Sequence, residues 1–548
     1  MSLPDRNNPY GFDEFLEKLR GLDFYKDDPF LQKTIRHFAG EEWPELHVKL
    51  MDFSPKVSFR WRDMADYIAR PERQPYLQHY DAHNHRVDRI VRPAETRQME
   101  REVFAEGLFS DQVTPWEHLS KRLLLHQIGE ASVLCPIACT EGLVALIQNF
   151  RDSVQPPVLD ILEHCSQGRE GDFGVGAQFM TEIQGGSDIP ANLLEAEPEG
   201  DAYRLYGTKF FCSAMQADYA VVTAKVTGSD KVGTFVVPSW LPGDKERERR
   251  NGYRINRLKW KMGTCELPTA EVAYEGALAY AVGPVDRGVA NAVGIVLTLS
   301  RIAVGMSSAA SMIRAAREAL LYSEFRQVFG QAICQHPLAL HQVRELVATA
   351  QRTTAALYKV YDLYLRLGRR LQPGLKSDEP LEMQRRRFVL RELIIIQKLV
   401  TAYETVDVLR KAMSIFGGHG VIEDFSSLPR LYRDAAVNEL WEGPRNVLLL
   451  QVFRDLFRVA SWYPAADFVA DMLAGAPESV VEPLGRALAE FLQDPPFEGL
   501  EPAHLERAAA WERLVEELFH AYQEQALAEI GPEPLVDPEH LAMPRLWT

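Results

Sequence analysis

Apolar residues recur at three- and four-residue spacing through the first third of the chain. The segments "FDEFLEKLRGLDFY" and "DPFLQKTIRHFAGEEW" show this spacing, and breakers separate them. The spacing predicts amphipathic helices. The segment "LCPIACTEGLVALIQNF" is apolar almost throughout and predicts a buried helix. We therefore expect residues 1–172 to form a helical domain.

The pattern changes near residue 173. The runs "AYRLYGTKFF", "YAVVTAKV" and "GTFVVPSW" are short and rich in β-branched or aromatic residues, and Gly, Pro and Asp stand between them. Such runs are typical of strands joined by turns. We expect residues 173–283 to form a small β domain.

Long helices return after residue 284. One segment, "VGIVLTLSRIAVGMSSAASMIRAAREALLYSEFRQVFG", contains no proline, and a second, "RRRFVLRELIIIQKLVTAYETVDVLRKAMSIFGGHG", ends on glycines that stop a helix. We place this helical block at 284–455. Residues 456–548 again favour helices, as an acidic extension. The predicted fold class is α+β, with helical, β and helical domains followed by an extra helical segment.

Length and composition indicate an ordinary globular protein. The chain has 548 residues, of which 46% are apolar and 25% charged, which predicts two to four domains. No apolar run is expected to span a membrane, and the first residues do not resemble a secretory signal.

The six cysteines form no CxxC pair, which argues against a zinc site or a disulfide framework. We expect Cys135 and Cys139 to serve core packing, and a cytoplasmic location.

The charge distribution argues against nucleic-acid binding by the whole protein. The net charge is −16, and residues 461–548 contain 17 Asp or Glu against 4 Arg, which gives −13. Phosphate backbones repel such a segment. One stretch points the other way, because "KERERRNGYRINRLKWK" at 245–261 has eight Lys or Arg against two Glu. A run of this kind is either a solvated face or a nucleic-acid contact.

The segment "FGVGAQFMTEIQGGSD" opens the β block. Its Gly174-x-Gly176 pair is followed by Phe179 where a dinucleotide fingerprint needs a third glycine, so a Rossmann site is not expected. Thr181 and the run from Gly185 to Ser187 instead offer hydroxyls and backbone N–H groups to a flat polar ligand. A plain β-turn would have the same residues, so both interpretations stay open.

Three further positions have a structural and a functional interpretation. Arg326, at the end of a predicted helix, is either a phosphate ligand or a solvated cation favoured by the helix dipole. His419, in the glycine cluster "FGGHG", has no neighbouring acid and nucleophile and is interpreted as a loop histidine. Glu442 in "LWEGPRN" stands between Trp441 and a Gly-Pro break, and is either a surface charge or a working base.

Taken in order, these motifs resemble the acyl-CoA dehydrogenase family over about residues 70–455. The ordered set is "MTEIQGGSD", "KFFCS", "KMGTCELPTAEVAY", "RQVFG", "FGGHG", "LYRD" and "LWEGPRN". The long N-terminal segment, "QGGSD", "KFFCS", "SSLPRLYRD" and the extension beyond 455 are most similar to its alkylation-response, AidB-type branch. The resemblance implies a helical domain, a β-barrel and a helical bundle, with FAD between the barrel and the bundle.

The resemblance also implies roles for individual residues. Glu442 corresponds to the catalytic base, and Ser187, Arg301 and Gly443 to substrate contacts. Arg326 and Phe329 would reach the FAD of a neighbouring subunit, which implies a homo-oligomer, either a dimer or a tetramer. The residues expected along FAD are Met180, Thr181, Gly186, Ser187, Phe211, Ser213, Gly417, Gly418, Trp441 and Asn446.

The sequence departs from the family pattern at four positions. Phe211 replaces the family's Trp, as in the AidB-type branch, and Ser414 stands where many members carry a flavin-contacting Gln. Pro444 replaces a Thr and offers neither a hydroxyl nor an N–H. Ser300 precedes Arg301, where some members place the base. A serine cannot act as this base, which leaves Glu442.

The expected function is FAD-dependent α,β-dehydrogenation of an acyl-CoA thioester, with electron-transferring flavoprotein as the acceptor. An alternative is an AidB-like, DNA-associated protective flavoprotein with weak dehydrogenase activity, which the basic stretch at 245–261 favours. A third hypothesis is an oxidase that uses O₂ on substrates such as nitroalkanes. In the family that chemistry uses an aspartate base, which Glu442 disfavours.

Overall fold

The computed structural model describes residues 10–169, 171–367, 379–497 and 499–533. The N-terminal part, up to residue 166, is mainly helical. Its helices are α1 (Asp13–Gly21), α2 (Pro29–Ala39), α3 (Trp43–Pro55), α4 (Arg62–Ile68), α5 (Ala94–Phe104), α6 (Pro115–His126), α7 (Ala131–Asn149) and α8 (Pro156–Ser166). Acidic side chains cap two of these helices. At the start of α2, Asp28 accepts a hydrogen bond from the N–H of Leu31, and at the start of α7, Glu130 accepts one from the N–H of Val133.

A β-hairpin, which the sequence analysis did not predict, interrupts this mostly helical part. Strands β1 (Tyr76–Tyr80) and β2 (Arg86–Val91) pair antiparallel. Asp81 shapes the turn by accepting hydrogen bonds from the N–H groups of His83 and His85, both at 2.8 Å. The hairpin contacts the central sheet, because the buried Asp88 accepts from the N–H of Ile255 at 2.9 Å.

Seven strands between Gly176 and Ala281 form the central sheet. Five of them close into a ring, because β6 pairs with β4, β4 with β5, β5 with β9, β9 with β7 and β7 again with β6. Closure removes unpaired strand edges and produces a barrel-like core. The strands are β3 (Gly176–Phe179), β4 (Glu195–Glu199), β5 (Ala202–Ser213), β6 (Tyr219–Val226), β7 (Val232–Pro238), β8 (Tyr253–Leu258) and β9 (Thr269–Ala281).

The C-terminal part is a helical bundle centred on a 28-residue helix, α10, most of whose residues are buried. A π-helical segment, Ala292–Leu297, leads into it. The elements are α9 (Gly288–Asn291), α10 (Thr298–Phe325), the short strands β10 (Gln327–Val328) and β11 (Gln331–Ala332), α11 (Pro337–Arg366), α12 (Leu381–Phe416), α13 (Leu428–Asn438) and α14 (Arg445–Val459).

Three more helices follow the bundle: α15 (Ala465–Met472), α16 (Glu478–Gln493) and α17 (Pro502–Ile530). The α17 helix contacts α11, α12 and α16. The helical, barrel-like and helical parts with this extension confirm the predicted fold class. The boundaries at residues 172, 283 and 455 stay predictions.

The expectation that no apolar run is long enough to cross a membrane needs correction. Two helical segments, Ala131–Asn149 and Gly288–Phe325, have the required length and composition. Of their most apolar windows, 72% and 61% are buried inside the protein. Core helices of this size pass the same test, so the finding carries little weight for or against a membrane.

Candidate active site

A cavity of about 810 Å³ lies where α7, the barrel-like sheet and the bundle meet. Its volume is in the range of ligand sites, about 300–1,000 Å³. Ten of the residues predicted from the resemblance line it, so the fold brings motifs from distant parts of the chain together. They are Met180, Thr181, Gly186, Ser187, Phe211, Ser213, Arg301, Trp441, Glu442 and Gly443.

Glu442 lies in the turn between α13 and α14. Its backbone φ is 58°, in the left-handed region that residues with a side chain rarely adopt. Gly443 follows with a φ of 104°, and a Cβ there would lie 2.7 Å from the Leu448 side chain. Pro444 is the N-cap of α14. The Gly-Pro break thus turns the chain sharply and leaves the carboxylate of Glu442 in the cavity wall.

Two buried cations hold the backbone of this turn. The ammonium of Lys398, on α12, donates to the carbonyls of Glu439 and Gly443 at 2.7 and 2.6 Å. The Nε of Arg301, on α10, donates to the carbonyl of Glu442 at 3.1 Å. Charge-assisted bonds of this kind are stronger than neutral ones and can hold a strained backbone in place. Because three carbonyls of the turn point toward cations, its conformation is fixed by the bundle.

The carboxylate of Glu442 accepts one hydrogen bond from a neighbouring side chain. The amide nitrogen of Gln178, on β3, lies 3.0 Å from its Oε1 and 3.2 Å from the hydroxyl of Ser300. Burial raises the pKa of Glu442 to about 7, while Arg301, Lys398 and the Gln178 hydrogen bond oppose that rise. A carboxylate with a pKa near working pH is suited to proton transfer.

The turn after β3 is shaped by a buried ion pair. The ammonium of Lys209 lies 2.8 Å from the carboxylate of Glu182, which also accepts from the N–H groups of Leu193 and Leu194. These bonds bring both ends of the 182–193 segment together. Gly186 then lies so close to Thr181 that a Cβ would be 2.4 Å from its hydroxyl oxygen. Glycine is therefore required there, and the hydroxyls of Thr181 and Ser187 remain at the cavity.

Phe211 and Ser213 reach the cavity from the end of β5. The β5–β9 pairing slips between Lys209 and Cys212, which is the signature of a β-bulge. The Phe211 ring is 49% exposed, so an aromatic surface borders the cavity. The Ser213 hydroxyl shares a hydrogen bond of 3.0 Å with that of Thr269.

Five predicted site residues lie outside this cavity. Arg326 and Phe329 follow the far end of α10, and Phe329 is 90% exposed. Gly417 and Gly418 are exposed and lie near the same end, because His419 and Tyr322 share a hydrogen bond of 2.9 Å. The 25 residues between Arg301 and Arg326 correspond to about 37 Å of helix. Asn446 is exposed at the start of α14.

The structure adds site residues that the sequence did not reveal. Gln178 and Lys398 contact Glu442 or its turn, but each stands in an apolar run that reads as core. Their signal is one polar residue, Gln178, or a polar pair, Gln397-Lys398, within such a run. Cys135 and Cys139, which were expected to serve core packing, also line the cavity, with sulfurs 3.9 Å apart.

Two family models match this chain. The model of the acyl-CoA dehydrogenase middle domain covers residues 177–277, and that of the acyl-CoA dehydrogenase C-terminal domain covers residues 286–457. The first range contains most of the closed sheet, and the second contains α10 to α13 and most of α14. The sheet and bundle walls of the cavity around Glu442 are therefore inside matched regions, whereas the α7 wall precedes them.

Individual relatives extend the match beyond these domains. "Acyl-CoA dehydrogenase family member 11" of Caenorhabditis elegans is 31% identical over 78% of this chain and 70% of the relative. "Putative acyl-CoA dehydrogenase AidB" of Escherichia coli is 30% identical over 71% of this chain and 70% of the relative. The crystal structure of Caenorhabditis elegans ACDH-11 in complex with C11-CoA has a TM-score of 0.76 at 26% identity, covering 94% of this chain and 91% of that one.

The fold and the site together define a cavity between α7, the barrel-like sheet and the bundle, with Glu442 in its wall. With relatives of this similarity and coverage, the chain belongs to the acyl-CoA dehydrogenase family. The predicted resemblance, including the similarity to AidB, is confirmed.

Proposed function

We propose that this protein is an FAD-dependent acyl-CoA dehydrogenase in which Glu442 is the base that removes the α-proton. The observation that carries this proposal is the position of Glu442. Its carboxylate lines the same cavity as the turn after β3 and the end of β5, on a backbone held by Arg301 and Lys398. A solvated surface charge would need none of these contacts.

The cavity fits FAD, the cofactor of this family. Phe211 offers a half-exposed ring against which a flat ring system can pack, and Thr181, Ser187 and Ser213 offer hydroxyls. Gly186 keeps the turn free of a side chain that would collide with Thr181. The Pro444 side chain at the cavity offers no hydroxyl, unlike the Thr that the family usually has there.

When bound, FAD would supply the acceptor for the hydride that leaves the β-carbon, so that the thioester becomes α,β-unsaturated. The residues of the chain handle the proton. The Glu442 carboxylate accepts the α-proton and becomes a neutral acid. Gln178 stabilises the charged form of the base before transfer, and Arg301 and Lys398 keep the turn from rotating away. Such a positioned base contributes about 10²–10⁴-fold to the rate.

The proposal includes a homo-oligomer. Arg326, Phe329, Gly417 and Gly418 lie at the end of α10 that is about 37 Å from Arg301, and none of them lines the cavity, yet the resemblance assigns all four to FAD. A second copy of the chain could bring them to the cofactor. Electron-transferring flavoprotein as acceptor and a cytoplasmic location are further parts of the proposal.

The DNA-associated alternative gains little from the basic stretch at 245–261. Five of its eight cations have carboxylate partners, which neutralise much of its charge. The pairs are Lys245–Asp218, Arg249–Asp244, Arg254–Glu275, Arg257–Glu271 and Lys259–Glu271. A DNA-binding assay over a range of salt concentrations distinguishes the two functions, because phosphate contacts weaken steeply with salt.

The proposed function is tested by purifying the protein, recording its flavin spectrum and titrating a panel of acyl-CoAs without oxygen. We expect bound flavin that bleaches with at least one acyl-CoA. A flavin spectrum that no member of the panel changes would contradict dehydrogenation.

A further inference from the structure

The acidic extension is bound to the bundle through aromatic and apolar contacts. Trp511, on α17, is fully buried and its indole N–H donates to the carbonyl of Leu449 at 3.1 Å. Its ring also packs against Phe453, with centroids 5.4 Å apart. Leu449 and Phe453 belong to α14, the helix that begins directly after the Glu442 turn. The extension therefore packs against the helix that follows the Glu442 turn.

Two acids of α17 also reach the first residue of α14. The Nε of Arg445 donates to the Glu512 carboxylate at 2.5 Å, and the Nη2 of Arg445 donates to the Glu516 carboxylate. The guanidinium also lies 4.4 Å from the centre of the Tyr403 ring. The Arg445 side chain is only 10% exposed. Three groups thus fix a nearly buried arginine three residues after Glu442.

Arg445 also lies close to the cation that holds the other side of the turn. Its Nη1 donates to the carbonyl of Leu399 at 3.4 Å, next to Lys398. Lys398 in turn donates to the carbonyls of Glu439 and Gly443. Burial lowers the pKa of Lys398, and the charge of Arg445 is among the causes that lower it further. Glu512 and Glu516 pair with the Arg445 guanidinium and so offset part of its charge.

We propose that Glu512 and Glu516 are positioning residues, which act through Arg445 to keep the 439–443 turn in the conformation that presents Glu442 to the cavity. The inference rests on the proposed function, in which Glu442 is the base. It assigns the acidic extension a part in catalysis, although no residue of α15 to α17 lines the cavity in the described part of the chain.

The test compares two variants of the full-length protein that each lose carboxylates from α17. The double variant Glu512→Gln/Glu516→Gln removes the partners of Arg445. The control Glu529→Gln removes another α17 acid, which pairs with Lys359 of α11 at 2.6 Å and is far in sequence from the base turn. Both variants retain the apolar surface of α17, so a general loosening of the extension would affect them alike.

We expect the double variant to lose about tenfold in kcat with KM changed less than about twofold, because the base is misplaced while the substrate still binds. Its kinetic pKa should also shift, because the charge on Arg445 is no longer balanced. The control should match the wild type. Equal kcat values and pH profiles in both variants would overturn the proposal.

Hydrogen exchange gives a readout that does not depend on activity. In the double variant, amides of residues 439–448 should exchange faster than in the wild type and in Glu529→Gln. Unchanged exchange there would overturn the positioning role even if the enzyme is active. If wild-type flavin fails to bleach with any acyl-CoA, the proposed function fails, and the exchange result still decides whether the extension holds the turn.

Discussion

Two glutamates near the same cavity, Glu130 and Glu442, have carboxyl pKa values raised chiefly by burial. Glu130 precedes α7, where its oxygens accept hydrogen bonds from the N–H of Val133 at 2.9 Å and the hydroxyl of Ser132 at 2.6 Å. The charge of the nearby Glu266 raises its pKa further. Both oxygens of Glu130 are thus used to cap a helix, and the residue is 1% exposed.

Glu442 differs in backbone and in surroundings. Its φ of 58° is held by cations that bind carbonyls of the turn, and its Oε1 has one side-chain partner, Gln178. Its carboxylate borders the cavity, whereas Glu130 does not line it. A raised pKa therefore does not distinguish Glu130, a capping residue, from Glu442, the proposed base. The two residues differ in whether a ligand in the cavity can reach the carboxylate.

The largest effect is expected from Glu442→Gln. It removes the proton acceptor while keeping the shape of the side chain, so kcat should fall by about 10²–10⁴-fold. FAD content should stay at the wild-type level. Steady-state kinetics with the best acyl-CoA measure the loss. The matched variant Glu130→Gln should keep kcat within about threefold, since its carboxylate serves a helix cap. Similar losses of kcat in both variants would contradict different roles for Glu442 and Glu130.

A second variant, Lys398→Met, tests the cation beside the base. The charge of Lys398 lowers the pKa of Glu442, so its removal should raise that pKa above about 7. Because the base works deprotonated, kcat at pH 7 should fall by about three- to tenfold and recover at higher pH. The midpoint of the kcat–pH profile measures the shift. A loss of activity with an unchanged midpoint would mean that Lys398 acts only on structure.

A smaller shift in the same direction is expected for Gln178→Leu. The amide of Gln178 stabilises the charged carboxylate, and it opposes the raised pKa less than Arg301 and Lys398 do. Its loss should move the kinetic midpoint upward by less than Lys398→Met does. The two profiles recorded side by side provide the comparison. A larger shift for Gln178→Leu would show that the hydrogen bond outweighs the charge.

The smallest effect concerns stability. Burial and Glu266 raise the folded-state pKa of Glu130, so folding favours its protonated form. The contribution of Glu130 to the free energy of unfolding is fully present below its unfolded-state pKa. That contribution is lost as the pH rises through its folded-state pKa. Glu130→Gln removes the titration, so its Tm relative to wild type should increase by about 2–4 °C between pH 5 and pH 8. A Tm difference that stays constant with pH would contradict the raised pKa.

Much of the fold could be predicted from periodicity and the motifs. The helical, β and helical succession appears in the spacing of apolar residues, and the glycines and hydroxyls of 181–187 indicated a ligand-facing turn. The β1–β2 hairpin was missed because "YLQHYDAHNHRVDRIV" is short, polar and placed among helices. Its position depends on Asp88 bonding to β8, a contact that local sequence does not encode.

The position of Glu442 could be predicted from the sequence, and the groups that support it could not. Glu442 stands out beside a Gly-Pro break and within a recognisable motif. Lys398 lies more than forty residues away on a helix whose pattern reads as core, and only the tertiary fold places its ammonium on the turn. Arg301 was predicted to contact substrate. Its guanidinium lines the cavity and donates to the Glu442 carbonyl, and its substrate contact stays a prediction.

The most direct test of the central claim is an oxygen-free titration of wild-type protein and Glu442→Gln with the same panel of acyl-CoAs, followed by flavin absorbance. We expect the wild-type flavin to bleach with at least one acyl-CoA, whereas the variant carries the same amount of flavin and stays oxidised. Bleaching of Glu442→Gln at the wild-type rate would contradict the role of Glu442 as the base.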